Sequence, residues 1–138
     1  VQKAKQKISA PDGPFILVID DEDNVRRLTQ AILKRGGHQT FGARNGFEAL
    51  DVVREHHAQV SVVVLDLNMP EMDGREFFGI LRNEFPVMPV IVVSGYLLDF
   101  NAFEDLGGSM PPAAFVQKPY QADQFLNEVA AITSAKAA

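Results

Sequence analysis

The sequence predicts an α/β fold: five parallel strands in the order 2-1-3-4-5, covered by helices on both faces to make three layers. Three observations predict it. Strand-like and helix-like segments alternate along the chain, as in a (βα)5 repeat. Runs beginning at Phe15, Val60 and Val90 are apolar without interruption, the pattern of strands buried on both faces. Each of these runs ends in oxygen-bearing side chains, and open parallel sheets bind ligands at the carboxyl ends of their strands.

The elements follow in order. Phe15 to Ile19 is a strand. Val25, Leu28 and Ile32 then recur at helical spacing, and Gly36-Gly37 stops that helix. His38 to Phe41 is a shorter and less apolar strand, suited to a sheet edge. Asn45 with Glu48 is a helix-start signal, and the segment Gly46 to His57 carries Ala49, Leu50 and Val53 on one face. Val60 to Leu65 is the third strand. Asp73 with Glu76 opens a helix whose apolar face is Phe77, Ile80 and Leu81. Pro86 and Pro89 bracket a turn before the fourth strand, Val90 to Val93, which ends at Ser94. A weaker helical stretch holds Phe100, Phe103 and Leu106, and the run from Gly107 to Pro112 cannot continue it. Ala113 to Val116 is the last strand, ending near Lys118. Gln121 to Ile132 is the last helix, with Phe125, Val129 and Ile132 on one face. The strongest apolar runs belong at the centre of the sheet, and right-handed crossovers complete the topology.

Composition narrows the function. A chain of 138 residues with 46% hydrophobic residues suits one domain, here 14–138, preceded by a flexible leader or linker at 1–13. There is no cysteine, which excludes disulfides, thiolate metal sites and a cysteine nucleophile. A net charge of −5 offers no electrostatic footprint for nucleic acid, and no apolar run reaches the length of a membrane span or reads as a signal peptide. A cytoplasmic setting is the expectation. His38, His56 and His57 match no catalytic pattern and read as surface or structural residues.

The chemistry gathers at strand ends. The first strand delivers Asp20 and Asp21, the third Asp66, the fourth Ser94 and the fifth Lys118. Three carboxylates at one sheet edge repel one another unless a cation neutralises them. Mg²⁺ takes oxygen ligands and keeps several waters, so a few acids suffice for it. The pattern therefore points to a Mg²⁺ site around a nucleophilic or phosphate-accepting aspartate, Asp66. Gly95, with no side chain, leaves room beside Ser94 for a phosphoryl group.

These residues carry a resemblance. Asp20-Asp21-Glu22, the segment Val64 to Gly74 with its Asp-Leu-Asn-Met-Pro turn, Ser94-Gly95 and Lys118-Pro119 together make the chain, from about Phe15 to Ala131, resemble a response regulator receiver domain of two-component signalling. That family has a flavodoxin-like fold. The resemblance implies that Asp66 takes a phosphoryl group from a histidine kinase or a histidine phosphotransfer protein. It implies that Asp21 binds Mg²⁺ directly, that Asp20 holds it mainly through water, and that the Asn68 backbone carbonyl is a further ligand alongside Asp66. Lys118 would reach the phosphoryl oxygens and Ser94 would hydrogen-bond one of them. Lys118-Pro119 would be a cis peptide. Ser94 and Phe115 would form the switch pair, with Phe115 rotating by packing alone since it lacks a hydroxyl. Asn68 and Tyr96 would flank the path of a hydrolytic water and tune dephosphorylation. The domain would not be an enzyme beyond its own phosphotransfer and autodephosphorylation.

Three other readings compete. A haloacid-dehalogenase-like phosphatase wants a second acid two residues after its nucleophile, where this chain has Asn68, and wants room for a substrate-covering cap. A flavodoxin-like cofactor binder needs a hydroxyl- and glycine-rich loop where this chain has Asp20-Asp21-Glu22-Asp23, which repels phosphate. A non-phosphorylated pseudo-receiver that serves only protein contacts has no need of the complete set of acids, serine and lysine. The Ser94-Gly95-Tyr96 segment and the Val116 to Tyr120 ending are similar to receivers attached to hybrid histidine kinases. The expectation is a stand-alone receiver or one excised from a longer chain, its output domain unknown.

Overall fold

The computed structural model describes residues 10–103 and 109–137. Five parallel strands form one sheet in the order β2-β1-β3-β4-β5: β1 Phe15–Ile19, β2 Thr40–Ala43, β3 Val60–Asp66, β4 Val90–Ser94 and β5 Ala114–Gln117. The α-helices are α1 Asp23–Arg35, α2 Gly46–His56, α3 Gly74–Glu84 and α4 Ala122–Ala137. The predicted strand order, the central place of β1, β3 and β4 and the edge position of β2 are all present.

The two-residue period of the strands divides the core into two layers. Phe15, Leu17, Ile19, Val63, Leu65, Val90 and Val92 face α2 and α3 and meet Leu50, Val53, Phe77 and Leu81. Ile16, Val18, Val62, Val64, Ile91 and Val93 face the other way and meet Leu33, Phe125 and Val129 of α1 and α4. Strands covered on both faces have no polar side to show, which is why their sequences are uninterrupted apolar runs.

The predicted helix starts hold. The Asn45 side chain accepts the Glu48 N–H at 2.9 Å, and Asp73 accepts the N–H groups of Arg75 and Glu76 at 2.7 and 3.2 Å. Glu48 reaches back to the Arg44 N–H rather than to that of Asn45.

Four details differ from expectation. β2 lies two residues later than predicted, because the end of α1 consumes the chain up to His38, whose N–H bonds the Leu33 carbonyl after Gly37 turns at φ +90°. β5 is shifted by one residue. α1 buries Arg26, Thr29 and Leu33, whereas Leu28, expected on the inner face, is 62% exposed. Polar side chains turn inward there because each finds a partner: Arg26 donates to the Asp20 carbonyl at 2.9 Å, and Thr29 shares a 2.7 Å hydrogen bond with the Tyr120 hydroxyl. The fourth crossover, expected to be helical, is a 3-10 helix over Leu97–Phe103. Its continuation through Leu106 and Gly107-Gly108, and the leader residues 1–9, lie outside the described residues. Of the remaining leader residues, Ala10 packs against the core, and Asp12 offers its carbonyl to the Gln39 side chain.

Candidate metal and phosphoryl pocket

Strand register assembles the pocket. Ile19 of β1 pairs with Leu65 of β3, so the next residues, Asp20 and Asp66, emerge side by side. Asp66 pairs with Val93, and Ser94 pairs with Gln117, so Lys118 leaves β5 one residue further on. The Lys118 N–H donates to the Ser94 carbonyl at 2.8 Å, tying the two strand ends together. The Lys118-Pro119 peptide is cis. Asp20, Asp66, Ser94 and Lys118 thus stand at the carboxyl-terminal edge of one sheet, where the strand order reverses between β1 and β3.

Asp20, Asp21 and Asp66 each place a carboxylate oxygen within 4.8 Å of the others. Asp20 and Asp66 are buried and Asp21 is half-buried. The Lys118 ammonium lies 3.5 Å from an Asp20 oxygen and 3.7 Å from an Asp66 oxygen. Two backbone groups also serve the acids: Glu22 N–H donates to Asp20 at 2.9 Å, and Asn68 N–H to Asp66 at 3.3 Å.

The charges are in tension. Burial pushes the Asp66 pKa up to about 6; Lys118 opposes that rise and Asp20 adds to it. Burial works against the Lys118 charge, but Asp66 and Asp20 outweigh it and hold its pKa above the ordinary lysine value. The pocket retains more negative than positive charge, so it favours a further cation. An all-oxygen set of carboxylates matches the ligand preference of Mg²⁺, and oxygens within 4.8 Å of one another need only draw in to the about 4.2 Å that ligands about 2.1 Å from the ion can span.

The loop after β3 is held tightly. A Cβ at Gly74 would come within 2.6 Å of the Leu67 Cα and 2.7 Å of the Asp66 carbonyl oxygen, so only glycine lets α3 begin so close to the pocket. Glu71 adopts φ +66°, a left-handed turn that reverses the chain between Asn68 and Asp73. Leu67, Met69 and Met72 of this loop are buried and anchor it.

Other expected residues sit as follows. Ser94 is fully buried, and its hydroxyl accepts the Tyr96 N–H at 3.2 Å and donates to Asp99 at 2.5 Å. Gly95 is exposed, and a Cβ there would meet nothing within 4 Å, so the surface beside Ser94 is open. Asn68 is exposed, and Tyr96, two residues beyond Ser94, is 69% exposed. Phe115 is 40% exposed, its ring packed against Phe100 at 4.9 Å and Phe103 at 5.7 Å between centroids. The histidines stay apart from the pocket: His56 meets the Phe15 ring edge and His57 stacks near Phe85.

Four residues in this neighbourhood were not among the site residues read from the sequence. Arg26 braces the Asp20 carbonyl, and Asp99 accepts the Ser94 hydroxyl while Arg75 holds Asp99 from its other oxygen. Tyr120, two residues beyond Lys118, anchors that strand end to Thr29. The one cue to Arg26 is its place one helical turn after Asp23, with which it forms a 2.6 Å ion pair.

Fold and pocket together define an open α/β domain with an acid and lysine cup at its ligand-binding edge. Residues 16–130 match the family model of the response regulator receiver domain, and the chain belongs to that family. It is 35% identical over 128 residues to the sensor kinase CckA of Brucella abortus, an alignment covering 93% of this chain and 13% of that protein. It is 36% identical over 110 residues to the regulatory protein AtoC of Escherichia coli, covering 79% of this chain and 23% of that one. The chain thus spans less than a quarter of the length of these curated relatives. The receiver domain of NtrX from Brucella abortus superposes with a TM-score of 0.75 at 26% identity, covering 86% of this chain and 98% of that one. No helix among the described residues is long and apolar enough to cross a membrane.

Proposed function

We propose that this receiver domain is a phosphoacceptor: Asp66 takes a phosphoryl group from a phosphohistidine of a histidine kinase or phosphotransfer protein. The observation that carries this reading is the convergence of Asp20, Asp21, Asp66 and the Lys118 ammonium at one sheet edge. An Asp66 carboxylate oxygen forms the new P–O bond as the P–N bond of the phosphohistidine breaks, and the released imidazole takes up a proton. Asp21, Asp66 and the Asn68 carbonyl would hold Mg²⁺, with Asp20 acting mainly through water, and the ion would supply neutralisation of phosphoryl charge. Lys118 supplies a second positive charge to the transferred group, and the Ser94 hydroxyl a hydrogen bond. The domain reports the phosphoryl group through Ser94 and Phe115 and performs no chemistry on other substrates.

Incubation with Mg²⁺ and acetyl phosphate, followed by intact-mass measurement, tests this. One added phosphoryl group that is absent in Asp66→Asn is the expected result. Continuous turnover of the donor would favour the phosphatase reading, and no mass gain with folded protein would favour a pseudo-receiver.

A further inference from the structure

The Ser94 hydroxyl is already committed. It has one proton to give. That proton goes to an Asp99 carboxylate oxygen at 2.5 Å, while the Tyr96 N–H occupies the hydroxyl as acceptor. The other Asp99 oxygen accepts from the Arg75 guanidinium at 2.8 Å, and Arg75 also lies 3.5 Å from Asp73, the cap of α3. Asp99 is thus clamped between the end of β4 and the first turn of α3. It belongs to the 3-10 segment whose Phe100 and Phe103 pack on Phe115.

We propose that Asp99 is a built-in competitor for the Ser94 hydroxyl, a positioning residue whose carboxylate holds the serine in the resting chain until a phosphoryl oxygen on Asp66 replaces it. This inference rests on the phosphoacceptor reading above. The two acceptors exclude one another because a single O–H cannot serve both. A phosphoryl group brings more negative charge than a carboxylate, so it wins the proton and repels Asp99. The exchange loosens the segment that carries Phe100 and Phe103, and the ring stack on Phe115 is the route by which the change leaves the site. The Ser94–Asp99 bond stabilises only the resting arrangement, and a bond made in one state alone is what sets the balance between two states.

Beryllofluoride, a stable phosphoryl mimic, tests this by calorimetric titration of the whole chain in Mg²⁺. Asp99→Ala removes the competitor and tightens beryllofluoride binding about tenfold, the worth of a charge-assisted hydrogen bond. Asp99→Asn keeps the size of the side chain, guards against loss of fold, and moves affinity the same way by less. Ser94→Ala weakens binding, and adding Asp99→Ala to it brings no further change, because the competition needs the hydroxyl. Unchanged or weaker binding in both Asp99 variants, or equal tightening with and without Ser94, overturns the proposal. If the unaltered chain binds no beryllofluoride, the phosphoacceptor reading fails and this inference with it; if it binds and the Asp99 variants do not tighten, this inference alone fails.

Discussion

The Lys118 ammonium sits 3.7 Å from an Asp66 carboxylate oxygen, although 52 residues and two crossovers separate them in the chain. It also reaches Asp20 at 3.5 Å. One cation therefore restrains a pocket of three acids. Lys118→Ala removes the charge that opposes the rise in the Asp66 pKa, so that pKa climbs further. Phosphorylation by acetyl phosphate should slow roughly 100-fold, the scale of losing one charge-stabilising group. A rate within twofold of the unaltered chain would show that Lys118 does not face the transferred group.

Magnesium should stabilise the fold. At a concentration ten times its dissociation constant, a ligand of the native state alone adds about 1.4 kcal/mol, or ~4 °C in Tm for a domain of this size. Asp21→Asn should abolish most of that gain while raising the metal-free Tm, because it relieves repulsion among the acids. Thermal melts with and without Mg²⁺ measure both effects.

Asp66 makes stability fall as pH rises. Its folded pKa is about 6 against an ordinary 3.8. Between those values the folded chain binds the proton more tightly than the unfolded chain, so this group's contribution is largest in acid and is lost between about pH 4 and 6. In metal-free urea unfolding, Asp66→Asn should gain on the unaltered chain by on the order of 2 kcal/mol across that window, after allowance for partial solvent screening. A difference that shrinks as pH rises would contradict the burial of this carboxyl.

Tyr120→Phe deletes one hydroxyl and strands the buried Thr29 hydroxyl. The loss should be on the order of 1 kcal/mol, with Tm falling by about 3 °C. Because Tyr120 stands two residues from Lys118, phosphorylation should slow modestly as well. An unchanged Tm would mean that water replaces the lost partner.

Tyr96, 69% exposed two residues beyond Ser94, is proposed to shield the phosphoryl group on Asp66 from water. Tyr96→Ala should shorten the phosphoryl lifetime several-fold, followed by intact mass after removal of the donor. A lifetime equal to that of the unaltered chain would remove Tyr96 from that role.

Much of this fold was legible because its strands are buried on two sides. Phe15 to Ile19, Val60 to Leu65 and Val90 to Val93 could be read within a residue, since short apolar runs rich in β-branched residues and bounded by turn residues suit strands covered on both faces. The caps Asn45 and Asp73 were equally plain, because their hydrogen bonds are local. α1 was misread on its inner face. Its buried stripe contains Arg26 and Thr29, whose partners, the Asp20 carbonyl and the Tyr120 hydroxyl, are supplied by the tertiary fold and leave no periodic trace.

The acids, the serine and the lysine were each visible at the end of a strand, so the sequence by itself determined which groups could meet and at which edge. Only the folded chain decided how they meet. Register brought Asp20 beside Asp66 and Ser94 beside the residue before Lys118, and burial then shifted the charges. The engagement of Ser94 by Asp99, and of Asp99 by Arg75, belongs wholly to tertiary structure. Side-chain hydrogen bonds between separate elements depend on distances that no linear spacing encodes.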